Sequence, residues 1–180
     1  MSRQIALLRG INVGGHHSFP KAQQLALAES LGLEDVSVLL QTGNLVFADP
    51  GAPPEETARR LHERIAADLG LTVPVMVRTR DELAAAVAAN PFPQATAEPK
   101  TLHLTFLSAV PADTSALDAL DQDAFAPDRF QLAGRELYLW CPDGIGRSKL
   151  ADAVGRARLG VTATARNWNT VTKLLALADA

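Results

Sequence analysis

Apolar and polar positions along the chain alternate between the spacing of a strand and that of a helix. Gln4 to Arg9 reads as a strand, Gly10 to Ser18 as a glycine-rich loop, and Phe19 to Leu31 as a helix with Pro20 in its first turn. Val36 to Leu40 and Leu45 to Phe47 flank Gln41-Thr42-Gly43-Asn44, the pattern of a β-hairpin. Pro53 and Pro54 open a helix in which Ala58, Leu61, Ile65 and Leu69 share one face. Its other side offers Glu55–Arg59 and Glu56–Arg60 as i,i+4 pairs. Val73 to Val77 is a strand, and a helix from Asp81 stops before Asn90-Pro91.

The same order then returns. Leu102 to Leu107 is a predicted strand and Pro111 to Leu120 a helix, while Arg129 to Leu132 and Glu136 to Trp140 form a hairpin turning at Ala133-Gly134. Gly146 to Leu159 is a helix, Val161 to Ala165 a short strand, and Asn167 to Ala178 the last helix. Leu69-Gly70-Leu71-Thr72 is echoed by Leu159-Gly160-Val161-Thr162, and an arginine (Arg78, Arg166) ends each strand that follows. The fold class is therefore α+β: a tandem duplication of a ferredoxin-like βαββαβ unit, each an antiparallel four-stranded sheet with helices on one face. Residues 1–90 form the first subdomain, 91–100 the linker that begins at Pro91-Phe92-Pro93, and 101–180 the second. The first copy carries the longer loop after its opening strand, and an expanded loop on a shared scaffold is a usual place for function.

Composition narrows the classes. Of 180 residues, 47% are hydrophobic and 21% charged, as in ordinary globular chains. One cysteine, Cys141, precludes an intramolecular disulfide, and the run Ile5 to Leu8 is too short for a signal or membrane segment, so a cytoplasmic location is expected. The net charge of −3 speaks against a general nucleic-acid groove. Residues 144–178 are nonetheless basic, with Arg147, Lys149, Arg156, Arg158, Arg166 and Lys173 against Asp152 alone.

Three polar motifs are candidates for chemistry. Gly10-Ile11-Asn12-Val13-Gly14-Gly15-His16-His17 lies between a strand and a helix, where glycine amides and a helix N-terminus favour an anion. It begins as a phosphate-binding P-loop would, but His16-His17 stands in place of the Lys-Ser/Thr pair and the surrounding topology reads as antiparallel, both of which argue against that reading. A plain structural turn stands beside the anion-binding reading. Gly144-Ile145-Gly146-Arg147-Ser148-Lys149 offers backbone donors, a hydroxyl and two cations, with a Pro142-Asp143-Gly144 turn as its structural alternative. Cations at a helix N-terminus oppose its dipole and make more sense as partners of a bound anion. Arg166-Asn167-Trp168-Asn169-Thr170 opens the last helix, with Asn167 as N-cap and Trp168 as a core anchor. No catalytic arrangement stands out, and the four histidines lack metal-ligand spacing, so no metal site is expected and no cofactor is named.

Ala6-Leu7-Leu8-Arg9-Gly10-Ile11-Asn12-Val13-Gly14-Gly15, Gln41-Thr42-Gly43-Asn44, Asn90-Pro91-Phe92-Pro93, Gly144 to Leu150 and Arg166 to Val171 together give a specific resemblance. The chain resembles the bacterial family catalogued as domain of unknown function 1697, with these motifs in the same order. The resemblance implies two ferredoxin-like subdomains and no activity. The family often has Lys where His16 stands, so His16 is left out of the candidate contacts.

The functional expectation is binding, with or without turnover, of a small anionic or phosphorylated metabolite in a cleft between the subdomains. Arg9, Arg147, Lys149 and Arg166 would supply charge. Asn12, Gln41, Asn44, Asn167 and Asn169 would orient the ligand, with Gly14, Gly15, Gly146 and Ser148 as close donors. The alternatives are an RNA-binding module, for which the sheet aromatics that would stack bases are sparse (Tyr138 and Trp140 on one hairpin strand, Phe106 on another), and a structural or protein-interaction role. No membrane partner is expected.

Overall fold

The computed structural model describes residues 2–180. The first sheet is built from β1 (Arg3–Leu8), β2 (Ser37–Val38), β3 (Asn44–Ala48) and β4 (Val75–Thr79), in the order β2-β3-β1-β4. The second is built from β5 (Leu102–Leu107), β6 (Arg129–Ala133), β7 (Glu136–Trp140) and β8 (Ala163–Asn167), in the equivalent order β6-β7-β5-β8. All pairings are antiparallel. The helices are α1 (Lys21–Ser30), α2 (Pro54–Leu69), α3 (Arg80–Ala88), α4 (Ser115–Asp118), α5 (Lys149–Arg156) and α6 (Trp168–Asp179).

Two compact units result, Met1–Ala85 with Lys173–Ala180, and Ala86–Thr172. The duplication reaches single residues. Ile5 of β1 pairs with Arg78 of β4, and Leu104 of β5 pairs with Arg166 of β8. Gly70 and Gly160, the echoed glycines, both take positive φ, 65° and 71°.

In the first unit, Ala6 and Leu8 of β1 and Leu45 and Phe47 of β3 point to one side and pack with Leu27, Leu61 and Ile65 of α1 and α2. This is period-two strand patterning meeting a helical stripe. Pro54 and two glutamates open α2, and the left-handed Gly70 closes it, its N–H on the Ala66 carbonyl at 3.0 Å. Neither arginine takes the partner the sequence predicts: one pairs a turn later and the other turns to backbone. Arg59 pairs with Glu63 at 2.9 Å, and Arg60 donates to the Leu31 carbonyl at 2.7 Å. Arg80 donates to Asp179 at 2.6 Å, fixing the end of α6 in this unit.

The second unit has a smaller core of Leu117, Leu137, Leu139, Cys141 and Leu150. The helix expected over Pro111–Leu120 shrinks to the single turn of α4. Asp113 accepts from the Ser115 N–H and Asp121 from the Asp123 N–H, so local carboxylates capture the donors a longer helix would use. Residues 93–97 and 99–101, in the stretch read as a linker, form two 3₁₀ turns.

Candidate functional site

The glycine-rich loop of the first unit is a small hairpin. The His16 N–H bonds the Val13 carbonyl at 2.9 Å and the Asn12 N–H bonds that of His17 at 3.0 Å. Gly14 and Gly15, at φ 58° and 77°, are its two central residues, the backbone that a two-residue turn between twisted strands demands. Asn12, itself at φ 53°, anchors the hairpin. Its Nδ2 donates to the carbonyls of Phe19 (2.8 Å) and Gln41 (2.5 Å), and its Oδ1 accepts from the Phe19 N–H (2.7 Å). Asn12, Gly14 and Gln41 are thus gathered at one end of the sheet, but the Asn12 amide is occupied by backbone.

The fully buried Gln24, which sequence patterning passes over, donates to the same two carbonyls at 2.8 and 3.1 Å. Asn44, buried at the start of β3, donates to the Leu39 carbonyl at 2.9 Å. Arg9 is exposed beside the loop.

In the second unit the peptide after β7 turns sharply, the Gly144 N–H closing on the Cys141 carbonyl at 2.9 Å. A 3₁₀ turn, Ile145–Arg147, leads into α5, and Ser148 caps the helix. Its Oγ accepts from the Ala151 N–H at 2.9 Å and donates to Asp128 Oδ2 at 2.6 Å. This cap explains why the helix begins at Lys149 and not at Gly146. Ser148→Ala should lower stability by about 1–2 kcal/mol. Urea unfolding checks this, with Lys149→Ala, which removes no cap, leaving the midpoint in place.

Residues 124–128, 143–144 and 147–149 line an open pocket of about 330 Å³, with Asp128, Asp143, Arg147, Ser148 and Lys149 as its polar side chains. That volume sits at the lower end of the roughly 300–1,000 Å³ of small-molecule sites. Among the described residues no ion pair involves Arg147 or Lys149. Asp128 and Asp143 lie outside the sequence-predicted set. The hydroxyl of Ser148 on Asp128 spans 20 positions, a contact no local motif announces.

Arg166 is placed elsewhere. It pairs with Leu104, which pairs in turn with Tyr138, whereas Leu137 and Leu139 face the α5 side. Strand alternation therefore puts Arg166 on the sheet face away from α5. Its guanidinium donates to Thr164 Oγ1 at 2.7 Å and the Ala165 carbonyl at 2.9 Å, and burial pulls its pKa down to about 10. Asn167 caps α6, accepting from the Thr170 N–H at 3.0 Å, and Asn169 is exposed in the first turn. Gly146 carries ordinary φ and has open space where a Cβ would stand.

Cys141 is fully buried, and burial pushes its thiol pKa up, with the Ser148 hydrogen bond acting the other way. Among the described residues no three His, Cys, Asp or Glu side chains gather as a metal site. His62 Nδ1 lies 2.6 Å from the Val73 carbonyl and His17 Nδ1 3.1 Å from that of Gly10. Among the described residues no helix is long and apolar enough to cross a membrane.

The fold is shared with a solved structure, that of conserved bacterial protein SP0830 from Streptococcus pneumoniae. The two superpose with a TM-score of 0.77 at 16% identity, over 98% of each chain. At that identity the likeness concerns the fold alone. No curated protein matches the chain. The family model described as "Protein of unknown function (DUF1697)" matches residues 1–138, which include the glycine-rich hairpin, the Gln41–Asn44 turn and the second sheet as far as Tyr138. The chain belongs to that family.

Proposed function

We propose that the second unit binds a small anionic metabolite, such as a phosphorylated one, in the pocket at the start of α5. The observation that carries the reading is the pair Arg147 and Lys149, both lining one cavity of about 330 Å³ and neither ion-paired among the described residues. Lys149 at the first position of α5 and Arg147 just before its Ser148 cap both oppose the helix dipole, so a stabilising role does not account for them. An anion in the pocket would meet both cations and the positive end of α5 together.

The nucleic-acid alternative loses its stacking surface. Phe106 and Tyr138 are buried, and Trp140 is half-buried with its ring 5.7 Å from that of Phe92. No Phe, Tyr or Trp side chain among the described residues is exposed. Base stacking on a sheet requires accessible rings.

A thermal-shift screen of phosphorylated metabolites selects a ligand, and titration calorimetry then tests the site. Arg147→Ala and Lys149→Ala should each weaken binding by about 1–3 kcal/mol, the worth of a charge-assisted contact, with no change in the unfolding midpoint. Unchanged affinity in both variants contradicts the reading.

A further inference from the structure

The same pocket holds opposite charges that do not neutralise one another. Asp128 and Asp143 line it together with Arg147 and Lys149. Among the described residues none of the four lies within 4.0 Å of an opposite charge. Pairing among such surface side chains would contribute little to stability, and none forms here. Asp143 is fixed in the turn that Gly144 closes on Cys141, whereas Arg147 follows in the 3₁₀ turn and Lys149 begins α5.

The two acids differ in their freedom. Asp128 accepts the Ser148 hydroxyl at 2.6 Å, so one oxygen is already engaged in holding the cap. Asp143 is exposed and has no hydrogen-bond or ionic partner among the described residues. A ligand carrying only negative charge would meet repulsion from both carboxylates. One that also carries an ammonium group would turn the nearer carboxylate into a contact.

We infer that the pocket selects a zwitterion, a small molecule with a phosphate or carboxylate for Arg147 and Lys149 and an ammonium for Asp143. The inference rests on the anion-binding reading of this pocket. It names a ligand class within that reading: amino acids, phosphoamino acids and aminoalkyl phosphates over plain organic phosphates.

A matched pair of probes separates the two ideas. Phosphoethanolamine and 2-hydroxyethyl phosphate differ in an ammonium against a hydroxyl, and both can be titrated by calorimetry or by amide chemical shifts. The wild-type chain should bind phosphoethanolamine tighter by about tenfold or more, the effect of one charge-assisted contact. Asp143→Asn, which keeps the turn-forming side-chain shape, should bring the two affinities within about twofold of each other. Equal affinities in the wild type overturn the inference and leave the anion site standing. A preference that survives Asp143→Asn overturns the assignment to Asp143. If neither probe binds at millimolar concentration, the anion reading fails and the inference falls with it.

Discussion

Gly43→Ala should unfold the first unit at denaturant concentrations the parent chain tolerates. A Cβ built on Gly43 would stand 2.6 Å from Leu8 Cβ and 2.9 Å from the Leu8 carbonyl oxygen, with Ile11 Cδ1 at 3.2 Å. Two of these three neighbours cannot yield. Leu8 is buried at the end of a central strand, and its N–H bonds the Gly43 carbonyl at 2.8 Å, so backing away breaks the contact that seats the turn. The position also has φ 92°, which side-chain-bearing residues rarely adopt. Strain and overpacking together should cost about 3–5 kcal/mol, a large share of the roughly 5–15 kcal/mol that holds a domain folded. Gly146→Ala is the control, because nothing lies within 4 Å of its Cβ position. Urea unfolding followed by circular dichroism should show a large drop in midpoint for the first variant and little change for the second.

Asn12→Ala is the second large effect, and it separates a structural amide from a ligand contact. The side chain closes three hydrogen bonds at 2.5 to 2.8 Å, and the Phe19 and Gln41 carbonyls retain Gln24 as a donor when it is removed. The Phe19 N–H has no such reserve, and alanine tolerates φ 53° less well than asparagine does. The expected loss is about 2–4 kcal/mol. Asn12→Asp should not rescue it, since a carboxylate keeps the acceptor but sets negative charge against two carbonyl oxygens. A midpoint that stays put in Asn12→Ala would return the amide to the ligand.

What the sequence made legible was the architecture, because strand alternation and the return of the same element order are properties of neighbours in the chain. Leu102–Leu107 and the cap at Asn167 stand where the patterning puts them, and the second hairpin turns one residue later than expected, at Gly134-Arg135, because Ala133 pairs with Glu136. The duplication shows itself in the shared register of Arg78 and Arg166.

The candidate site was legible only in part. Pattern reading sees that Arg147, Ser148 and Lys149 are odd at a helix start, yet it cannot see that Asp128 accepts the Ser148 hydroxyl. It groups Arg166 with them by its chemistry, while the two-residue period of β8 turns that side chain to the other face. Glycines raise the same ambiguity. Gly14 and Gly15 fit an anion cradle and a hairpin tip equally well by composition, and only the Val13–His16 hydrogen bond shows the tip. The helix over Pro111–Leu120 failed for a related reason: its aspartates have the spacing of a solvated helical face but bind nearby N–H groups instead.

The pocket of the second unit is tested most directly by amide chemical shifts during titration of the ¹⁵N-labelled chain with phosphoethanolamine. The account predicts perturbations concentrated in residues 124–128 and 143–151, saturating with one midpoint and reduced when Arg147 is replaced by alanine. Perturbations centred instead on Gly10 to His17, or an unchanged titration in Arg147→Ala, would contradict it.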